Sequence, residues 1–151
     1  MIDVSDLTKS FPVSRQQRRE LGPGFTGNAV QAVAGVGFRC RPGRVFALLG
    51  PNGAGKTTVL RMIAAMLRPD GGRISIAGVD ALADPVAARR RLGFLTGSTR
   101  LYERLTAEEN VRYAADLCGV AEADYRRRRD ALFAALGIDA YAGRRAGQLS
   151  T

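Results

Sequence analysis

The stretch GPNGAGKTT, residues 50–58, constrains this chain more than any other feature. It matches the pattern G-x-x-x-x-G-K-[ST] at Gly50, Gly55, Lys56 and Thr57. Glycines leave successive backbone N–H groups free to surround phosphate oxygens, and a helix that begins behind them adds the positive end of its dipole. The motif therefore predicts a phosphate-binding loop between a buried strand and a buried helix.

Each residue type in this loop has a chemical role. Lys56 supplies a mobile charge for the β and γ phosphates, the Thr57 hydroxyl can ligate Mg²⁺, and Thr58 can reach another phosphate oxygen. Only two of the 23 basic residues are lysines, and a planar guanidinium is a poor substitute for an ammonium in a tight anion cradle. The other members of the predicted nucleotide-binding loop are Gly50, Pro51, Asn52, Gly53, Ala54 and Gly55.

The first two-thirds of the chain alternate strand patterns with one crossover helix. Apolar runs and alternations predict strands, and an apolar segment behind the loop predicts a helix that is buried nearly all round. Two prolines and three glycines predict an unstructured loop over residues 12–28. The predicted strands are 2–8, 30–40, 44–50, a short one around Ile74 and Ile76, and 91–96, and the predicted helix is 56–67.

The last third reads as helical. Thr106 and Glu109 form a capping box, Thr-x-x-Glu, at the start of one helix. A second helix is predicted over residues 122–136, with Gly137 as its stop. Its apolar face is expected to carry Tyr125, Leu132, Phe133 and Leu136.

Composition narrows the function classes. The net charge of +9 could attract nucleic acid, but the arginines are scattered except at 89–91 and 126–129, which favours solvated faces. The chain has no histidine, so no histidine base or ligand can come from it. No apolar run reaches the roughly 20 residues of a membrane span, and the N-terminus lacks a signal-peptide pattern. We expect a cytoplasmic protein.

Four stretches resemble the N-terminal part of an ABC-transporter ATP-binding subunit. The resemblance is closest to the sodium-efflux and multidrug-efflux branch. It implies an α/β P-loop NTPase fold, with an antiparallel β subdomain and P-loop core over residues 1–96 and a helical subdomain over 97–151. The four stretches are VSDLTKSF at 4–11, FALLGPNGAGKTTVLRMIAAMLRPDGGRISIAGVD at 46–80, RRRLGFLTGSTRLYERLTAEENVRYAADLCGV at 89–120, and the final QLST.

The resemblance also implies site residues, cofactors and partners. Phe11 matches the aromatic residue that stacks on adenine. Leu149, Ser150 and Thr151 match the start of the signature segment, which contacts the γ-phosphate held by a second ATP-binding subunit. The implied cofactors are ATP and Mg²⁺, and the implied partners are a membrane permease subunit and a second copy of the chain. These partners imply a position on the inner face of the cell membrane, and no nucleic acid is expected.

The chain departs from the family pattern in two ways. Gly97 and Ser98 stand where the family usually has a glutamine that contacts Mg²⁺ and the attacking water. The rest of the signature, the strand ending in Asp-Glu and the switch histidine do not occur in these 151 residues, so the C-terminal half of the core is expected to be missing. We therefore expect this chain to bind ATP without hydrolysing it.

Two other readings stay open. A soluble cassette protein acting in repair or translation would suit the positive charge and would bind DNA or RNA in a salt-dependent way. A small-molecule kinase would transfer phosphate from ATP to an acceptor, although no acidic catalytic base lies near the loop in sequence. Association with a membrane permease would favour the transporter reading over both.

Overall fold

The structure is a computed structural model that describes residues 1–24, 26–96 and 100–149. The chain divides into two compact units, Met1–Phe94 and Leu95–Thr151. Within the described part of the chain, no helix is long and apolar enough to cross a membrane.

The first unit contains a four-stranded antiparallel sheet. Its strands are β1 (Ile2–Pro12), β2 (Ala29–Cys40), β3 (Gly71–Ile76) and β4 (Val79–Asp80), in the spatial order β2-β1-β3-β4. The strands predicted at 2–8, at 30–40 and around Ile74 and Ile76 are therefore confirmed. Val59, Met62 and Ile63 of the phosphate-loop helix share one core cluster with buried residues of β1, β2 and β3.

The connection between β1 and β2 is more ordered than the sequence pattern predicts. It contains a short helix, α1 (Arg15–Leu21), and its two ends are joined by a hydrogen bond of 2.9 Å from Val13 N to Asn28 O. The Arg18 guanidinium donates to the Asn28 side chain at 2.7 Å and to the Gly27 carbonyl at 3.2 Å. The prediction of a wholly unstructured loop is wrong because these bonds stabilise a local helix.

The helix behind the phosphate loop, α2 (Lys56–Ile63), is shorter than predicted and is buried on one face only. Ala65, with φ 51°, turns the chain away from the helical path, and Leu60 and Met66 are exposed. A further short helix, α3 (Pro85–Arg89), adds Ala88 to the same core. The buried residues that form this core are Val4, Leu7, Val33, Val59, Met62, Ile63, Ile74, Ile76, Ala81 and Ala88.

Two predicted strands, 44–50 and 91–96, are not strands in the structure. The first is largely open to solvent, with Val45 99% and Leu49 89% exposed. A strand requires a hydrogen-bonding neighbour, and no named strand among the described residues pairs with either segment. Within the described residues, Phe46 stacks on Phe38 and Leu48 packs partly against the core, while Val45 and Leu49 stay exposed.

The second unit contains two helices, α4 (Ala107–Leu117) and α5 (Glu122–Leu136). The predicted capping box is present, with Glu109 N donating to Thr106 Oγ1 at 3.1 Å and Thr106 N donating to Glu109 Oε2 at 2.7 Å. Gly137, with φ 64°, ends α5 as predicted. Two short 3-10 helices follow, at Asp139–Tyr141 and Ala146–Gln148.

The predicted apolar face of α5 is half right. Tyr125 and Phe133 are buried, whereas Leu132 and Leu136 are exposed. At ~100° per residue, Leu132 and Leu136 lie within about 20° of Tyr125 around the helix axis, and Phe133 lies about 80° from it. The two leucines are therefore on the same face as Tyr125 but nearer the C-terminal end of α5, where they stay exposed.

Candidate nucleotide-binding site

The phosphate loop runs from Gly50 into the start of α2. A tight turn in which Ala54 N donates to Pro51 O at 3.2 Å shapes the loop, and Gly53 and Gly55 follow with φ values of 84° and 81°. Glycine tolerates these left-handed conformations without the steric penalty of a Cβ. The loop leads directly into a helix, as the motif predicts, but the segment before it is not the predicted buried strand.

Gly55 has a second reason to lack a side chain. A Cβ at this position would lie 2.2 Å from the carbonyl oxygen of Ala32, on strand β2. Gly55 also occupies the N-cap of α2, where no side chain caps the helix. The first backbone N–H groups of a helix have no intrahelical partner, so this end of α2 is suited to an anion.

Lys56 lies across the loop. Its ammonium donates to the carbonyl oxygens of Gly50 at 2.6 Å and of Pro51 at 2.7 Å. An ammonium has three N–H donors, so one remains for a further acceptor. These bonds hold a positive charge next to the backbone donors that the glycines leave accessible.

The two threonines that follow differ in exposure. Thr57 is exposed and Thr58 is half-buried at the base of the helix, while Val59 behind them is fully packed in the core. The buried face of α2 thus anchors the helix and leaves the hydroxyl-bearing first turn at the surface. Within the described residues, no cluster of three His, Cys, Asp or Glu side chains could hold a metal ion.

Phe11 lies near the end of β1, where it pairs with Val30. Its side chain is 39% exposed, and the Lys9 ammonium lies 5.8 Å from the ring centroid. A partly exposed ring at a strand end offers a flat apolar face to a ligand base.

The β1–β2 ribbon brings the phosphate loop toward Phe11. Lys9 pairs with Val33 and Ser10 pairs with Gln31, so the ladder skips Ala32 as the extra residue of a bulge. Ala32 is the residue that Gly55 approaches. The loop therefore contacts β2 opposite the part of β1 that immediately precedes Phe11.

The remaining predicted site residues are not among the described residues of the first unit. Leu149 lies in the second unit, half-buried in an apolar cavity with Leu101, Val111 and Phe133. Gly97, Ser98, Ser150 and Thr151 lie outside the described residues.

Sequence reasoning missed three residues of this region: Ala32, Lys9 and Asp70. Asp70 accepts hydrogen bonds from Lys9 Nζ at 2.6 Å and from Ser10 N at 2.7 Å. Both bonds stabilise the charged carboxylate, so the Lys9 ammonium and the Ser10 N–H hold the pKa of Asp70 below its ordinary value. One signal was available, since Lys9 and Lys56 are the chain's two lysines.

Comparison with known proteins defines the class to which this fold and loop belong. The family model described as ABC transporter matches residues 33–151. The chain therefore belongs to the ABC transporter family, and the predicted resemblance is confirmed.

Two curated relatives are longer than this chain. It is 41% identical over 151 residues to the ABC transporter ATP-binding protein NatA of Bacillus subtilis, covering 99% of this chain and 56% of NatA. It is 38% identical over 111 residues to the daunorubicin/doxorubicin resistance ATP-binding protein DrrA of Streptomyces peucetius, covering 74% of this chain and 34% of DrrA. The chain thus spans about half or less of these two relatives.

Solved structures agree on the fold. The structure of an ATP-binding subunit of an ABC transporter matches with a TM-score of 0.74 and 30% identity, over 99% of this chain and 56% of that one. The ATP-binding cassette MJ0796, in a dimeric structure bound to ADP and Pi, matches with a TM-score of 0.74 and 21% identity. This match covers 99% of this chain and 63% of that one. The predicted P-loop NTPase fold class is confirmed.

Proposed function

We propose that this chain is the ATP-binding portion of an ABC-transporter subunit that energises export through a membrane permease. The observation that carries the proposal is the phosphate loop, in which Gly55 packs against Ala32 and Lys56 lies across the carbonyls of Gly50 and Pro51. Together with the exposed first turn of α2, these features form a cradle for a chain of phosphates.

The residues of the cradle fit Mg·ATP. The loop N–H groups and Lys56 would hold the phosphates, Phe11 would stack on adenine, and Thr57 would be the protein ligand of Mg²⁺. Bound Mg²⁺ neutralises phosphate charge. The Thr57 hydroxyl and the phosphate oxygens of the nucleotide would hold the ion.

The export direction is supported by the relatives. DrrA is named for resistance to daunorubicin and doxorubicin, and the Escherichia coli protein YbhF, 36% identical over 126 residues, is named as a probable multidrug ATP-binding protein. By analogy, the partners would be a permease and a second ATP-binding subunit. Leu149, Ser150 and Thr151 would contact the γ-phosphate that the second ATP-binding subunit holds. Such partners would place the protein on the inner face of the cell membrane.

These 151 residues would hold ATP without turning it over. Attack on the γ-phosphate needs a group that orients water, and the chain has no histidine. Two of its glutamates are already engaged, because Glu109 completes the capping box and Glu108 pairs with Arg129 at 2.6 Å. Both lie on α4 in the second unit, where these bonds hold their carboxylates.

A nucleic-acid role is less well supported than transport. The longest arginine run lies on α5, where Arg126 pairs with Glu122, Arg127 with Asp124, and Arg129 with Asp130, at 2.6–2.7 Å. Each pair neutralises a charge that a phosphate backbone would otherwise contact.

Titration of the purified chain with Mg·ATP tests the proposal. Lys56→Ala removes the mobile cation of the cradle, and losing hydrogen bonds to a charged group should weaken binding about tenfold or more. Arg128→Ala, which removes one exposed charge from the second unit, is the matched control and should bind as the wild type does. Equal affinities for wild type and Lys56→Ala would contradict the proposal.

A further inference from the structure

The turn between α2 and β3 carries an aspartate that contacts three successive residues of β1. Asp70 N donates to Thr8 O at 2.9 Å, and its carboxylate accepts from Lys9 Nζ at 2.6 Å and from Ser10 N at 2.7 Å. The next residue along β1 is Phe11. Asp70 therefore joins the segment that leaves the phosphate-loop helix to the strand end that carries the candidate adenine platform.

The ladder on the β3 side explains why a side chain is needed here. The pairing of β1 with β3 ends at Thr8 and Gly71, so the N–H of Ser10 lies beyond the last strand partner on that side. The Asp70 carboxylate accepts this N–H instead. It thereby continues the hydrogen bonding of β1 past the end of β3.

The opposite side of β1 is also irregular at this point. The bulge at Ala32 interrupts the β1–β2 ladder between Lys9 and Ser10, and a bulge bends a strand and increases its local twist. With the β1–β2 ladder offset by the bulge on one side and the β1–β3 ladder ended on the other, Asp70 supplies the hydrogen bond on the β3 side of β1 next to Phe11.

Lys9 extends this connection to the aromatic ring. Its side chain is only 15% exposed, it pairs with Asp70, and its ammonium lies 5.8 Å from the Phe11 ring centroid. A cation at this distance from a ring is attracted to the ring face. Asp70 thus acts on Phe11 through both the backbone of Ser10 and the side chain of Lys9.

We propose that Asp70 is a positioning residue that sets Phe11 for the adenine base. The inference rests on the proposed ATP binding and adds to it that recognition of the base depends on Asp70 while recognition of the phosphates does not. The segment from Gly55 to Asp70, which contains α2, is then attached to the β1–β2 ribbon at both ends. Gly55 against Ala32 fixes the phosphate end, and Asp70 against Lys9 and Ser10 fixes the base end.

Two ligands separate these contributions: Mg·ATP, which has a base, and inorganic tripolyphosphate with Mg²⁺, which has none. Asp70→Ala should weaken ATP binding by about three- to tenfold, a part of what one base–aromatic stack contributes. It should leave tripolyphosphate binding at the wild-type value. Asp70→Asn keeps an acceptor for the Ser10 N–H and should restore most of the ATP affinity.

Asp3→Ala is the matched control. It removes an aspartate of β1 together with its ion pair, to Arg39 at 2.6 Å, near the end of the strand opposite to Phe11. Its affinities for both ligands should equal those of the wild type.

The outcomes are distinct. Unchanged ATP affinity in Asp70→Ala, or equal losses for both ligands, would overturn the role of Asp70. If wild type bound neither ligand, the proposed function itself would be overturned. If Asp70→Ala does not fold, Lys9→Met decides, because it removes the ammonium between Asp70 and the ring. A selective loss for ATP in Lys9→Met would support the inference, and no loss would contradict it.

Discussion

Gly55 lies so close to Ala32 that a Cβ on Gly55 would stand 2.2 Å from the Ala32 carbonyl oxygen. Ala32 is the bulged residue of β2, and Gly55 is the last residue of the loop before α2. One backbone contact thus places the start of the helix against the antiparallel ribbon. The glycine is required there by contact as well as by its positive φ.

Gly55→Ala should therefore destabilise the chain more than a matched change in the same loop. Gly53 has a similar φ, 84° against 81°, but a Cβ there would meet nothing within 4 Å. Gly53→Ala should cost only the left-handed conformation, about 1–2 kcal/mol, whereas Gly55→Ala adds a clash with backbone. Denaturant unfolding of both variants measures the difference, and equal losses would show that the contact with Ala32 does not matter.

Phe11→Ala should weaken ATP binding by about 1–3 kcal/mol, the contribution of one base–aromatic stack. Phe11→Tyr keeps the ring and should bind ATP nearly as well as the wild type. Affinities from titration with Mg·ATP check both variants. An undiminished affinity in Phe11→Ala would assign the ring to packing against Val30 and not to the base.

The purified chain should release phosphate from ATP no faster than its Lys56→Ala variant. In the proposed site the loop holds and neutralises the phosphates, but the chain contains no histidine that could orient the attacking water. A phosphate-release assay under saturating Mg·ATP measures this. Turnover above the variant, with contaminating ATPases excluded, would contradict the account.

The stability of the second unit should fall in acid through Glu122. Its carboxylate accepts from Arg112 and from Arg126, and these bonds, the one from Arg112 first, hold its pKa below the ordinary value of 4.5. A lowered folded-state pKa adds stability above the ordinary value, and this stability is lost as pH falls through the folded pKa. Unfolding at neutral pH and at about pH 3 should show a larger acid loss for wild type than for Glu122→Gln. Equal losses of stability in acid for the two proteins would mean that the bonds from Arg112 and Arg126 to Glu122 add no stability.

Local signals in the sequence predicted much of this structure. The glycine spacing predicted the loop, the Thr106–Glu109 pair predicted the start of α4, and Gly137 predicted the end of α5. Each of these depends on a backbone conformation or a cap that a few neighbouring residues determine. The predicted family membership is confirmed over residues 33–151.

Features that depend on distant partners were predicted less well. The apolar run at 44–50 predicted a buried strand, yet no described strand pairs with it, and Val45 is exposed. The roles of Ala32 and Asp70 depend on a bulge and on the point where β3 stops pairing with β1. Neither feature has a local sequence signature.

The central claim is that Mg·ATP binds at the phosphate loop and Phe11. Backbone amide NMR of the labelled chain during titration with Mg·ATP tests it most directly. We expect saturable shift changes at Gly53, Gly55, Lys56 and Thr57, with a second group at Ser10 and Phe11. Shift changes confined to the charged cleft between α4 and α5, around Arg112 and Glu122, or no saturable change, would contradict the account.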